Sequence, residues 1–472
     1  TKVFDERNHL NMAAVTFTRR ANVPLRKAMP PELARNVFTC HNLVEYRPVQ
    51  DQKQTADGFA TVMRFKPARN EDNPLPHLNL LVLDEAGQTG ITLWKTVIAA
   101  LFDYNKTQRI FLGDLEQLPP VQDHPVLGYS LVKNKTVVLT RTYRQSGDSP
   151  ILKFARLILD SHQFTDNEID TEWRAHKPTV NIVRAKPTDS AVSVALALFG
   201  SENSQPSLTQ TLLANGTYNP NLDIIITGFN EQALGVKPIN SYIATIIDST
   251  LPADYPYPIV PVKVGSKKFP YRVGDKVLYN AEDYYITAIE DNPLYISKGG
   301  MEYVTNIDRF GRDVSGSTTV ATAAGILKHT SVDLEEDALD SIAQRHADED
   351  SRDALSHELT LTAFEEGKPV SKTVVSTKGE LAKVQLGYCI TAHKSQGSQW
   401  RNVFVVCHHS QASLLTKEWL YTACTRPTEK LWVMGTLRGI NQAIARRQIK
   451  GETLEDKIAA FAEKENCDSV EV

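Results

Sequence analysis

At 472 residues the chain is long enough for roughly three domains, each with its own core. With 41% hydrophobic and 23% charged residues it has the composition of an ordinary globular protein. A net charge of −4 excludes bulk basicity as a route to nucleic acid and leaves only a basic groove confined to one face. No run approaches the roughly 18 apolar residues of a membrane span, and the first residues lack the pattern of a secretory signal. The five cysteines (Cys40, Cys389, Cys407, Cys424, Cys467) show no C-x-x-C pairing and read as reduced core thiols, not as a metal site.

Up to about residue 136, short apolar runs alternate with helical stretches, the pattern of a parallel α/β sheet. MAAVTFT (12–18) predicts a buried strand and ANVPLRKAM a helix after it. LNLLVLDEA (78–86) and RIFLGD (109–114) predict two more strands, with a helix over 92–105 between them. Both end in acids, and the C-terminal ends of parallel strands are where such a sheet puts its site. A second α/β unit starts near Thr136 with TVVLTRTYRQ and a helix from Ser149 to about His162. It takes in DIIITGFN (223–230) and a helical stretch after it, then closes with LGYCITAHKSQG, NVFVVCH (402–408) and KLWVMGT (430–436). Between about 262 and 383, YRVGDKVLYN and DYYITAIED alternate as strands do and predict a small inserted β-barrel. The acidic run 333–358 is compatible with a helix and reads as a solvated face or as a contact for a basic partner.

Five strings carry the chemistry, in the order LVLDEAG (81–87), GDLEQLPPV (113–121), LTRTYRQ (139–145), TAHKSQGSQW (391–400) and LYTACTRP (420–427). In the first, an apolar strand ends in two carboxylates with different work to do. Asp84 can hold Mg²⁺ through water, and Glu85 can orient and deprotonate an attacking water. An Asp-Glu pair after a strand is common by itself; GDLEQLPPV at the end of the next strand makes it a candidate site.

Taken together, the strings resemble those of superfamily 1 (1B) DNA helicases, the RecD-like and phage Dda-like group. The resemblance runs over nearly the whole chain, from AAVTFTRRA to KLWVMG. It implies two RecA-like parallel-sheet domains with a small SH3-like β-barrel inserted in the second. The first would be 1–136 with a hairpin at about 48–75, the second 137–261 and 384–450, the insertion 262–383, and 451–472 a C-terminal tail. By this likeness Asp84 and Glu85 are the Walker B pair, and Gln117 is the γ-phosphate sensor in a turn shaped by Gly113 and Asp114. A glutamine amide suits that role because it both donates and accepts. Arg144 and Arg426 match arginines that reach the γ-phosphate, where a guanidinium can fork onto two oxygens; Arg141 carries no such match. Gln396 and Gly397 match the segment between nucleotide and strand.

The same likeness lines a strand channel with Phe17, Thr18, Arg19, Thr39, His41, Asn230, Thr391, His393 and Lys394. Hydroxyls and amides there bind phosphate without reading sequence, and aromatics stack on any base. Phe17 stays open between stacking residue and strand core, and His41 between strand contact and core histidine. Phe59 and Phe65 are candidate wedges in the hairpin, and VTNIDRFG (304–311) loosely matches a family turn with Ile307 in place of glycine. The implied activity is ATP- and Mg²⁺-dependent 5′→3′ translocation on single-stranded DNA or forked duplex, in replication, repair or recombination. A monomer in the cytoplasm of a bacterial or phage-infected cell is implied too, with replication or recombination proteins as partners and no membrane. An RNA-translocating helicase is the alternative substrate class.

No G-x-x-x-x-G-K-[ST] string occurs between Thr1 and Val472. One reading is a fragment whose phosphate loop precedes Thr1; the other is a non-catalytic, nucleic-acid-binding or complex-forming protein of helicase fold. The loop's amides and lysine are the main holders of the β- and γ-phosphates, so the 472 residues alone are expected to show negligible ATPase activity.

Overall fold

The structure, a computed structural model, describes residues 11–55, 58–139, 149–176, 178–200, 205–264, 267–280, 282–292, 307–310, 312, 354–365 and 367–468. The chain divides into two compact units. One comprises Thr1–Asp189, Ile224–Gly228 and Thr391–Val472; the other comprises Ser190–Asp223 and Phe229–Ile390. The fold is mixed α/β, with two parallel sheets.

Six strands open the first unit: β1 (Met12–Thr16), β2 (Val37–Thr39), β3 (Tyr46–Thr55), β4 (Gly58–Pro67), β5 (Leu80–Leu83) and β6 (Gln108–Phe111). Strands β2-β1-β5-β6 form a parallel sheet in that order, with Ala14 opposite Val37, Ala13 opposite Leu81 and Leu81 opposite Arg109. Every residue of β1 is buried, which is why its sequence is a continuous apolar run instead of an alternation. From β1 the chain goes to β2 on one side and later to β5 on the other. That switch opens a crevice at the C-terminal ends of β1 and β5, where an open sheet binds its ligand. Strands β3 and β4 pair as an antiparallel hairpin, from Tyr46 opposite Pro67 to Thr55 opposite Gly58. Phe65 on it is 68% exposed, while the Phe59 side chain lies outside those described.

The second parallel sheet places the strands Ile224–Thr227, Trp400–Cys407, Pro427–Gly435 and Val180–Arg184 side by side in this order. Val403 stands opposite both Ile224 and Leu431, and Leu431 opposite Val180. Val137, Val138 and Leu139, expected to open the second α/β unit, are exposed and carry no strand. They have no apolar face to lie on, so β-propensity alone does not order them. Residues 140–148, with Arg141 and Arg144, lie outside the described residues. Cys40, Cys389, Cys407 and Cys424 are buried free thiols; the Cys467 side chain is outside those described.

The stretch expected as a tail contains the helix Leu454–Asp468, which packs on the helix Val126–Lys133. Phe461 joins the core of the first sheet, its ring 5.3 Å from that of Tyr129. A Cβ on Gly128 would stand 2.4 Å from the Phe461 ring, so glycine is what lets the two helices meet. Gly128→Ala is therefore expected to destabilise the protein by about 1–3 kcal/mol through overpacking. Phe461→Leu should recover part of that loss in the double variant. Denaturant unfolding of all three measures this, and strictly additive losses would refute the contact.

The other unit carries the helices Ala191–Phe199, Leu208–Ala214 and Val236–Thr250. Val260–Val264 pairs with Lys267–Tyr271 as a two-stranded ribbon. A five-stranded sheet, antiparallel in its described pairs, runs in the order Lys368–Thr377, Ala354–Glu365, Glu282–Asp291, Lys276–Tyr279, Val384–Leu386. Val262, Tyr271, Val277, Ile286, Leu359, Leu361 and Val375 share its core. Gly274, at φ +99°, turns the chain into Lys276–Tyr279, so residues 272–275 form a turn inside the stretch YRVGDKVLYN that reads as a strand. The end of the acidic run is a correction: Ala354–Glu358 opens a strand, not a helix, with Leu355, Leu359 and Leu361 buried. Alternation of leucine with polar residues outweighs helix-compatible composition there. Residues 333–353 lie outside the described residues. Among the described residues no helix is long and apolar enough to cross a membrane.

Candidate functional site

Two loops meet at the C-terminal edge of the first sheet. Asp84 follows β5, its amide donating to the Val15 carbonyl at 2.9 Å, and its Oδ1 accepts from the Glu85 amide at 2.9 Å. Burial holds the Asp84 carboxyl above the usual carboxylate range, against the pull of the Glu85 amide. Glu85 has φ +54°, a left-handed backbone that costs an ordinary residue about 1–3 kcal/mol and tends to persist at functional sites. Its Oε2 accepts from Gln88 Nε2 at 2.9 Å. The loops touch backbone to backbone. A Cβ on Gly87 would stand 2.5 Å from the Asp114 carbonyl oxygen, and one on Gly113 would stand 2.9 Å from the Gly87 nitrogen.

From the second loop a chain of hydrogen bonds runs through Gln117. Asp114 Oδ1 accepts from the Glu116 amide at 2.8 Å, and Oδ2 accepts from Gln117 Nε2 at 3.3 Å. Burial raises the Asp114 carboxyl, with those two donors acting against it. Gln117 Oε1 accepts from Arg426 Nη2 at 3.0 Å, so one amide spans a carboxylate and a guanidinium. Arg426 is 2% exposed; its Nε donates to the Thr422 carbonyl at 2.9 Å, one helical turn back. Thr422 Oγ1 accepts from the Leu118 amide at 2.9 Å, and Gln396 Nε2 donates to the Leu118 carbonyl at 2.9 Å. Gln117, Arg426 and Gln396, called separately from three strings, thus meet on one turn.

Gly397, at φ +75°, lies against the helix Arg19–Ala28, where a Cβ would stand 3.0 Å from Ala21 Cα. Thr18 caps that helix by accepting from the Ala21 amide at 3.3 Å, and Thr39 caps Cys40–Leu43 by accepting from the Asn42 amide at 3.1 Å. Because β1 and β2 pair in parallel, with Thr16 opposite Thr39, these caps emerge at the same edge. The Phe17 and His41 rings lie 6.2 Å apart, and His41 is 5.0 Å from Tyr46. Phe17 is exposed and His41 half-buried, its imidazole pKa lowered by burial. Arg19 is exposed as well. Thr391 begins the turn Ala392–Ser395 without a side-chain cap, and burial lowers the pKa of both His393 and Lys394, with Arg20 adding to it at Lys394. Asn230 is exposed and falls in the other unit. Arg144 is outside the described residues.

Among the described residues no cluster of three or more His, Cys, Asp or Glu side chains is arranged to hold a metal. The donor set suits Mg²⁺ all the same, because that ion takes most of its oxygens from water and phosphate and needs only a carboxylate or two. Two participants escaped the sequence reading. Thr422 lies in the last turn of the helix Lys417–Cys424, and Arg426 follows two residues past its end, so only the fold shows that the Arg426 side chain folds back onto it. Lys457 carried no signal, since it sits outside every motif.

Residues 2–123 match the AAA domain family AAA_19, and residues 386–434 match the UvrD-like helicase C-terminal domain family. The ATP-dependent RecD2 DNA helicase of Deinococcus radiodurans is 23% identical over 428 residues, covering 90% of this chain and 44% of that protein. The RecBCD enzyme subunit RecD of Mycobacterium tuberculosis is 42% identical over 76 residues, 16% of this chain and 13% of that one. The chain thus spans less than half the length of these curated relatives. A crystal structure of Bacteroides Pif1 bound to ssDNA aligns over 98% of this chain and 89% of that one, at 14% identity and a TM-score of 0.42. The first family match contains LVLDEAG and GDLEQLPPV, and the second contains TAHKSQGSQW and LYTACTRP; the chain is similar to the RecD-like superfamily 1 helicases.

Proposed function

We propose that this chain is the core of an ATP- and Mg²⁺-dependent motor that moves 5′→3′ along single-stranded DNA, with polarity taken from the family resemblance. The observation that carries the reading is the run Asp114–Gln117–Arg426, at 3.3 and 3.0 Å, beside a Glu85 held at φ +54°. Asp84 would hold Mg²⁺, which polarises the phosphate oxygens when bound. Glu85 orients and deprotonates water, Gln117 registers the γ-phosphate with its amide, and Arg426 forks onto phosphate oxygens together with Arg144. Gly113 shapes the turn, and Gln396 and Gly397 tie it to the strand-facing segment. Phe17, Thr18, Arg19, Thr39, His41, Thr391, His393 and Lys394 line the strand path. The two parallel sheets are RecA-like layers, the antiparallel module is SH3-like, and the β3–β4 hairpin is the element that meets a forked duplex. A cytoplasmic monomer working with replication or recombination proteins fits this reading.

A second reading is a helicase-fold binding subunit without turnover. Glu85→Gln separates the two. In the complete gene product that contains this chain, the substitution is expected to lower strand-stimulated ATP hydrolysis by about 10²–10⁴-fold, the weight of a general base. Strand binding should be retained. Equal turnover in parent and variant would sink the motor reading, and stimulation by RNA in place of DNA would reassign the strand.

A further inference from the structure

Lys457 is 2% exposed, yet it lies on a helix that apolar contacts already dock. Its Nζ is 2.6 Å from Glu116 Oε1 and 3.4 Å from the Leu115 carbonyl oxygen, the two residues between Asp114 and Gln117. A buried ammonium is unfavourable unless paired, so helix docking alone would favour a methionine here. The root of the same segment is fixed at the other end of the site. The Gln448 and Ile449 amides donate to the buried Glu418 carboxylate at 3.0 and 3.1 Å. Glu418 opens the helix Lys417–Cys424, which also carries Thr422, the residue holding both the Leu118 amide and Arg426 Nε. Residues 448–457 therefore bridge the two sides of the Gln117–Arg426 hydrogen bond.

We infer that Lys457 is a positioning residue for the sensor turn: it pins Leu115 and Glu116 so that Gln117 faces Asp114 and Arg426 together. The segment 448–457 is then a strap that sets the separation of sensor and arginine. The role rests on the proposed reading of Gln117 and Arg426, whereas the anchoring itself does not.

The test is hydrogen exchange on the full chain without nucleotide or strand, read at the amides of 113–118 and, as a control, of the helix Val126–Lys133. Lys457→Met fills the space without charge and should speed exchange at the Leu118 amide about tenfold, the loss of one charge-assisted tie. Lys457→Arg should restore protection. Glu116→Gln should reproduce the loss and add little to Lys457→Met, because both remove one interaction, and it keeps the test open if the methionine variant does not fold. In the complete gene product, Lys457→Met should lower strand-stimulated kcat with KM for ATP unchanged. Unchanged exchange at Leu118, or an equal loss across Val126–Lys133, overturns the assignment. A loosened turn in a protein without ATP turnover would sink the motor reading instead and leave the anchoring by Lys457 standing.

Discussion

In the complete gene product, Arg426→Ala is expected to lower strand-stimulated ATP hydrolysis by about 10³–10⁵-fold, the weight of an arginine that stabilises charge on a transferring phosphoryl group. The geometry explains why a smaller effect is not expected. Arg426 is almost wholly buried, with Nε on the Thr422 carbonyl at 2.9 Å and Nη2 on Gln117 Oε1 at 3.0 Å. Its guanidinium is fixed before any phosphate arrives, so little is lost in ordering it. Arg426→Lys keeps a charge but offers no fork to serve Thr422 and Gln117 together, and should recover only a small part of the rate. The truncation also leaves the buried Thr422 carbonyl and the half-buried Gln117 amide oxygen without that donor, costing about 1–3 kcal/mol of stability measurable in the chain alone. Gln117→Ala removes the partner and should show non-additive kinetics with Arg426→Ala, since the two act as one unit. Turnover of Arg426→Ala within tenfold of the parent would remove the arginine from the mechanism.

How much of this was legible in the sequence depends on what kind of signal each residue gave. Buried parallel strands are continuous apolar runs, and β1, β5 and the strand Trp400–Cys407 were readable as such. The acids after β5 and β6 were legible as a pair, because two successive strands carry them at the edge where an open sheet puts its site, although either alone would be unremarkable. The Gln117–Arg426 contact joins residues 309 apart, and no local pattern could pair them; only the family resemblance sends both to one phosphate. Val180–Arg184 was missed because VNIVR is short and lies among polar residues. In sequence the helix Leu454–Asp468 looks like a tail because its acids and lysines suggest a solvated segment, while its few anchors, Leu454 and Phe461 among them, make the contact. Lys457 shows the limit most clearly: a lysine in a polar segment reads as surface, and only the fold reveals it as buried.

The largest stability effect is expected from Arg309, in the other unit. Its Nε and Nη2 bond the Asp248 carboxylate at 2.7 and 2.9 Å, and Nη1 and Nη2 bond Asp275 at 2.8 and 3.1 Å. Asp248 ends the helix Val236–Thr250 region and Asp275 sits in the turn before Lys276–Tyr279, so one guanidinium ties helix to sheet. Asp248 retains Arg272 at 2.9 Å if Arg309 is removed. Asp275 is worse placed: it keeps the Arg272 amide at 2.7 Å and the Tyr388 hydroxyl at 3.4 Å, but no cation bonded to it is among the described contacts. Removing one partner of a buried pair costs about 3–5 kcal/mol, and Arg309→Met should fall in that range near neutral pH. The pH dependence has a definite sign. Burial already raises the Asp275 carboxyl, Arg309 opposes the rise, and nearby Asp248 adds to it. Without Arg309 the folded value climbs further above the unfolded one. A raised carboxyl favours the folded state below the unfolded value, and that contribution is lost as pH rises through the folded value. The deficit of Arg309→Met should therefore shrink as pH falls from 8 towards about 5, and Asp275→Asn in the same background should flatten it. All five tryptophans (Trp94, Trp173, Trp400, Trp419, Trp432) belong to the first unit, so hydrogen exchange in Lys276–Tyr279 and Glu282–Asp291 is the direct measure. An equal deficit at pH 5 and pH 8 would mean that Asp275 does not carry the cost, and that the loss is one of packing around the arginine stem.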